Sequence, residues 1–100
     1  MPTREQVLDM LSNCTDPEIP GVNIVDLGLI YDVAIAGDRV DVTMTLTARG
    51  CPMSQQMSQD AKMQVERLRD VSEAHITIVW DPPWNPGMMT ESGRRKLGFE

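Results

Sequence analysis

The stretch Arg39-Val40-Asp41-Val42-Thr43-Met44-Thr45-Leu46-Thr47-Ala48-Arg49-Gly50-Cys51-Pro52 changes its periodicity partway, and the fold follows from where it changes. Up to Thr47, apolar Val40, Val42, Met44 and Leu46 alternate with polar Asp41, Thr43, Thr45 and Thr47. That period is the mark of a strand with one buried face. The apolar set is expected to face helices, and the polar set solvent, a partner or another subunit. Beyond Pro52 the apolar residues Met53, Met57, Ala61, Val65 and Leu68 recur at helical spacing, predicting the main helix over Pro52–Arg69. Thr47 to Pro52 is then a strand-to-helix turn. Gly50 permits its tight angles, and Pro52 suits a first helical position, where a missing N–H costs nothing.

Cys51 draws its chemical interest from that placement. At or next to the helix N-cap, unpaired N–H groups and the positive end of the helix dipole favour a thiolate, and Arg49 adds a cationic charge nearby. Such a cysteine is a candidate nucleophile or metal ligand. The plainer alternative is a small buried residue in a turn. Thr47, leading into the turn, can bring its hydroxyl near the thiol.

The elements on either side follow from the same kind of pattern. Leu29–Ala36 reads as a strand joined to Arg39–Thr47 by a hairpin turn at Gly37-Asp38. Ser72–Trp80 reads as a third strand, with Ile76, Ile78 and Trp80 on one face and His75 with Thr77 on the other. Thr3–Asn13 reads as a first helix whose Thr3 and Gln6 form a capping box and whose stripe is Val7, Leu8, Leu11 and Cys14. At that spacing Cys14 is a core residue. Asp16-Pro17-Glu18-Ile19-Pro20-Gly21 is turn-rich, and its prolines bar a helix. Asp16 and Glu18 either orient a metal or a proton there or satisfy turn amides. Asn23–Gly28 is expected to be a short connector. Asp81-Pro82-Pro83-Trp84-Asn85-Pro86-Gly87 is a rigid loop flanked by Trp80 and Trp84. Aromatic loops of this kind pin a terminal segment or offer a contact surface. Met88–Leu97 is expected to be a last short helix, capped by Gly98 and weakened by Gly93.

The expected fold is α+β: a two-layer α/β domain of order α-β-β-α-β-α, with helices on one face of a small three-stranded mixed sheet. One domain over residues 1–100 fits the length of 100 residues. Such a sheet leaves an open face and open edges, which a homodimer or a partner protein would cover.

Composition narrows the function. A net charge of −6 argues against nucleic acid as a partner. No apolar run approaches a membrane span and the start has no signal-peptide core, so a cytoplasmic protein is expected. The 8 Met are expected to be core fillers, and the 2 Cys with 1 His fall short of a closed metal site. Any metal site must be incomplete, shared between chains, or transient.

Taken in order, Asp16-Pro17-Glu18-Ile19-Pro20, Asn23-Ile24-Val25-Asp26-Leu27-Gly28-Leu29-Ile30-Tyr31, Met44-Thr45-Leu46-Thr47 before Gly50-Cys51-Pro52, Pro82-Pro83-Trp84, and Glu91, Arg94 and Leu97-Gly98 resemble the SufT/PaaD-like family of iron–sulfur cluster assembly domains. The resemblance covers nearly the whole chain. It implies a small α/β domain acting in maturation of iron–sulfur proteins, with Cys51 as the motif cysteine and Asp16, Glu18 and Thr47 at motif positions around it. Arg49 departs from the proline or small residue expected there. The phenylacetate-pathway branch carries a cysteine-bearing C-terminal extension, so ending at Glu100 favours the shorter, SufT-like members.

Three functions follow. The first is an assembly or carrier factor, with no tightly bound cofactor but a transient iron or iron–sulfur cluster. A single Cys51 per chain would hold one weakly, shared across a dimer or completed by external thiols or by Asp16 and Glu18. Its partners would be iron–sulfur assembly proteins and client apoproteins. The second is an enzyme with Cys51 as nucleophile, which needs a base such as His75 within reach. The third is an interaction module working through the Trp80/Trp84 loop, with Cys51 structural.

Overall fold

The computed structural model describes residues 2–16, 19–47 and 54–98. Helix α1 (Arg4–Leu11) opens the chain. The expected capping box is present: Thr3 Oγ1 accepts from the Gln6 N–H and the Gln6 side chain accepts from the Thr3 N–H. Such a cap contributes about 1 kcal/mol. Val7 and Leu11 are fully buried and Cys14 nearly so, which bears out the core reading of Cys14.

The proline-rich segment after α1 holds structure that periodicity did not reveal. Strands β1 (Thr15–Asp16) and β2 (Ile19–Asn23) form a small antiparallel pair, with Thr15 opposite Asn23 and Asp16 opposite Ile19. Proline is tolerated because edge strands need not donate at every position.

The main sheet contains β3 (Ile30–Ala36), β4 (Arg39–Met44) and β5 (Glu73–Ile78) in the order β3-β4-β5. β3 and β4 are antiparallel through the predicted Gly37-Asp38 turn, where Gly37 has φ +63°. β4 and β5 are parallel, with Val40, Val42 and Met44 beside Ala74, Ile76 and Ile78. Helix α2 (Ser54–Glu66) makes that crossover and packs on β5. The sheet is therefore mixed, as expected. Val40, Val42 and Met44 pack with Met57, Ala61 and Val65 of α2 and with α1 in one core. The opposite face carries Asp32, Ala34, Asp41, Thr43, His75 and Thr77 in register. Of the methionines, Met44, Met57 and Met89 are buried as core fillers, while Met63 is 64% exposed.

Alternation fails at one residue. β4 ends at Met44, and Thr45, expected on the polar face, is 1% exposed. Its N–H, on the β3 side, donates to Leu29 O at 2.8 Å, which draws the segment under the turn before β3.

The C-terminal region differs from expectation in its first half. Pro86–Met88 is a single 3₁₀ turn, and α3 (Glu91–Leu97) starts afresh from Thr90, whose Oγ1 caps the Gly93 N–H at 3.1 Å. Gly98 closes α3 at φ +79°, as predicted. Gly93 is no weak point: a Cβ there would stand 2.5 Å from Asp26 O, so only glycine lets α3 lie this close to the Asn23–Gly28 turn. Among the described residues no helix is long and apolar enough to cross a membrane.

Candidate functional site

The connection from β4 to α2 runs from the carboxyl end of a central strand towards a helix start, with β5 parallel alongside. Units of this kind present ligand-binding groups outside the carboxyl ends of their parallel strands. Cys51 belongs to this connection, three residues before Ser54 at the start of α2. Cys51, Arg49, Gly50, Pro52, Glu18 and the side chain of Asp16 lie outside the described residues. Thr47 is partly buried at the connection's near end.

Backbone hydrogen bonds run across this end of the molecule. Ile24 N–H donates to Cys14 O, Leu29 N–H to Ile24 O, Thr45 N–H to Leu29 O, and Val79 N–H to Met44 O, all within 2.8–3.1 Å. They tie the start of β1, the Asn23–Gly28 turn, the end of β4 and the end of β5 into one frame. Asp16 lies one residue past Thr15 on β1, and Thr47 two past Thr45.

The Asn23–Gly28 segment is more than the connector expected of it. Asn23 Oδ1 accepts from the Asp26 N–H at 2.9 Å, closing the turn, and Asn23 Nδ2 donates to Asp26 Oδ2 at 3.1 Å. Thr90 Oγ1 donates to Asp26 Oδ1 at 3.0 Å, the Thr90 N–H donates to Asp26 O at 2.9 Å, and Lys96 Nζ lies 3.6 Å from Asp26 Oδ2. Trp84 Nε1 donates to Leu27 O at 2.6 Å, and both Trp80 and Trp84 are partly buried against the core. Gly28, at φ +79°, lies so near Met88 that a Cβ would come within 2.2 Å of its carbonyl oxygen. The indole donor of Trp84 is thus used within the fold. The pattern Asn-x-x-Asp ending in glycine was the sequence's sign of this dock; its partners lie about sixty residues away and carry no local signal.

Two hollows flank the frame. One, of about 550 Å³, is lined by Gly28, Ile30, Tyr31, Pro82 and Met88, with Tyr31 Oη donating to Pro82 O at 2.7 Å. The other, of about 200 Å³, is lined by Asn13, Cys14, Thr15, Asp60, Met63 and Gln64. Burial pushes the Cys14 thiol up, and the Asp60 carboxylate adds to the shift. Cys14 therefore stays protonated at neutral pH and is a poor ligand.

His75 is exposed on the open face, with Nε2 3.1 Å from Glu73 Oε2. It stands opposite Asp41, three register pairs from Met44–Ile78 at the site end, or roughly 10 Å along the strand. Among the described residues, no group of three or more His, Cys, Asp or Glu is placed to hold a metal ion. Thr45 Oγ1 is buried with no hydrogen-bond partner among those residues, a feature that periodicity concealed.

Comparison with known proteins agrees with this architecture. The family described as "Iron-sulfur cluster assembly protein" matches residues 4–77. An Fe-S protein maturation auxiliary factor of Porphyromonas gingivalis is 45% identical over 97% of this chain and 92% of its own. The Fe-S protein maturation auxiliary factor SufT of Staphylococcus aureus is 39% identical over 83% of this chain and 94% of its own. A crystal structure of a domain of unknown function from Bacillus anthracis superposes with a TM-score of 0.86 at 37% identity, covering 96% of this chain and 92% of that one. With its fold, its motif order and these relatives in agreement, the chain belongs to the iron–sulfur cluster assembly protein family.

Proposed function

We propose that this protein is an auxiliary factor in iron–sulfur cluster assembly or maturation, acting in the cytoplasm as a carrier or adaptor through Cys51 rather than as an enzyme. The observation that supports this reading is the position of the β4–α2 connection, at the carboxyl end of the parallel pair and ahead of α2. A thiolate supplied from such a turn is a soft ligand of the kind that iron and its sulfide clusters take. With Cys14 buried and protonated, Cys51 is the cysteine suited to the task. One thiolate per chain leaves a cluster's remaining positions to other groups: Asp16 and Glu18, a second Cys51, or the thiols of a scaffold or client protein. Incomplete ligation suits a carrier, since the cargo must leave. Arg49 would favour the thiolate, and Thr47, Gly50 and Pro52 would shape the turn around it. Trp80 and Trp84 would stiffen the neighbouring loop against which a client docks.

The test is anaerobic reconstitution with iron and sulfide, read by visible absorption and metal analysis, on the native protein, Cys51→Ser and Cys14→Ser. Cluster bands in the native protein and Cys14→Ser, lost in Cys51→Ser, are the expected result. Equal loading of native and Cys51→Ser would overturn Cys51 as ligand. No cluster in any of the three would overturn direct carriage and leave an adaptor acting by contact.

A further inference from the structure

The two edges of the main sheet are treated differently. β5 bonds to β4 through its odd-numbered residues, as the Val79 N–H to Met44 O bond shows, so Ala74 turns its N–H and C=O outward. Both groups are taken by one helical pair: Lys62 Nζ donates to Ala74 O at 3.0 Å, and the Ala74 N–H donates to Glu66 Oε2 at 3.0 Å. Lys62 and Glu66 are themselves bonded at 2.6 Å. At Ala74, then, α2 caps the start of this edge.

β3 has no such cover. The Ala36–Arg39 pair closes a two-residue hairpin, so Ala36, Ala34 and Asp32 exchange hydrogen bonds with β4, while Val33 and Ile35 turn their backbone groups outward. Among the described residues, no hydrogen bond to those two N–H and two C=O groups occurs. Edge strands in soluble proteins are short, bulged or charged to prevent pairing. Here the bulge falls at Ile30–Asp32 and the charge at Asp32, which leaves Val33-Ala34-Ile35 bare.

We propose that this edge binds a second copy of the chain, β3 pairing antiparallel with its equivalent about a two-fold axis at Ala34. The open groups suit that partner. Val33 would exchange both backbone bonds with the partner's Ile35, and Ile35 with the partner's Val33, so the two-fold leaves no exposed group over. Ala34 would face its own copy at the close, non-hydrogen-bonded position, where a small side chain fits best. Asp32 would stand opposite the partner's Ala36, so no like charges meet. Val33 and Ile35 lie on the helix side, so each core would continue into the next. A two-fold pairing of β3 with itself uses the same edge on both chains and so closes at two.

This interface bears on the Cys51 reading, which it otherwise does not need. Antiparallel pairing sends the two β4–α2 connections to opposite ends of the joined sheet, roughly 25 Å or more apart along the strands. The pairing therefore does not bring the two connections together, and a cluster's remaining ligands would come from Asp16 and Glu18 or from a scaffold or client.

The test is the oligomeric state by sedimentation velocity from 1 to 300 µM, for the native protein, Ala34→Lys and Ala34→Glu. Ala34 is exposed on the solvent face, so each variant should fold, and circular dichroism melts check that. The native protein should be a dimer, each variant at least tenfold weaker, and an equimolar mixture of the two variants should dimerise again as Lys meets Glu across the axis. A native protein that stays monomeric throughout, variants that dimerise as the native does, or folded variants that fail to recover on mixing would each overturn the interface. None of these outcomes depends on metal loading, so failure here and failure of the Cys51 reading are told apart.

Discussion

Single residues in this protein show most clearly what alternation and turn rules can reveal. Cys14 was legible because a helical stripe ends on it, and burial agrees. Thr45 was not, because the strand pattern runs through it while the chain has already left the ladder for Leu29 O. Gly93 looked like a defect in a helix, since propensity weighs a glycine by its entropy; the approach of Asp26 O at 2.5 Å from a would-be Cβ is a tertiary fact. Thr45 carries a prediction at this scale. Its hydroxyl is buried without a partner among the described residues, and such a group costs about 1–3 kcal/mol relative to an apolar group of its shape. Thr45→Val should therefore raise the stability of the cluster-free protein by about 1 kcal/mol in urea unfolding. A variant less stable than native would mean that the hydroxyl is bonded after all.

At the scale of elements, the main sheet and its helices were readable from periodicity, whereas the β1–β2 pair was hidden by its prolines and brevity. The turn expected at Gly50-Cys51-Pro52, between a period-two and a helical pattern, falls in the β4–α2 connection but outside the described residues. Nothing local disclosed that α2 would cap the β5 edge at Ala74. That cap has a pH signature. The Lys62 ammonium first, and the Ala74 N–H second, hold the Glu66 carboxyl below the usual glutamate range. A carboxyl with a depressed folded-state pKa stabilises above its unfolded value, near 4.3, and that contribution fades as pH falls through the folded value. Lys62 and Glu66 side chains are 47% and 32% exposed, so after solvent screening the effect is about 0.5 kcal/mol at most. Glu66→Gln should accordingly lose less stability than the native protein between pH 6 and about pH 3 in thermal melts. An acid limb identical to the native one would show that the pair contributes nothing.

For the whole molecule, charge sets the terms of association. A net charge of −6 per chain makes two copies repel one another. Raising ionic strength from 0.01 to 0.15 M shortens the screening length from about 30 Å to about 8 Å. The proposed dimer should therefore tighten several-fold with salt, measured as the dissociation constant by sedimentation. An interface held by opposite surface charges would weaken instead, and that result would argue against the backbone pairing at β3.

The dock at Asp26 also has a consequence in time. The sheet is complete once β5 has formed, yet Asp26 and the carbonyl of Leu27 still await Thr90 and Trp84, residues 64 and 57 positions further along. Contacts of such sequence separation are the slow ones, because chain entropy must be surrendered before they repay it. During synthesis the turn that frames the site is made early and fastened late. Until Trp84 and Thr90 emerge, the nascent protein holds its strands and helices in place around a frame that has not yet been locked, and that frame is complete only when α3 arrives.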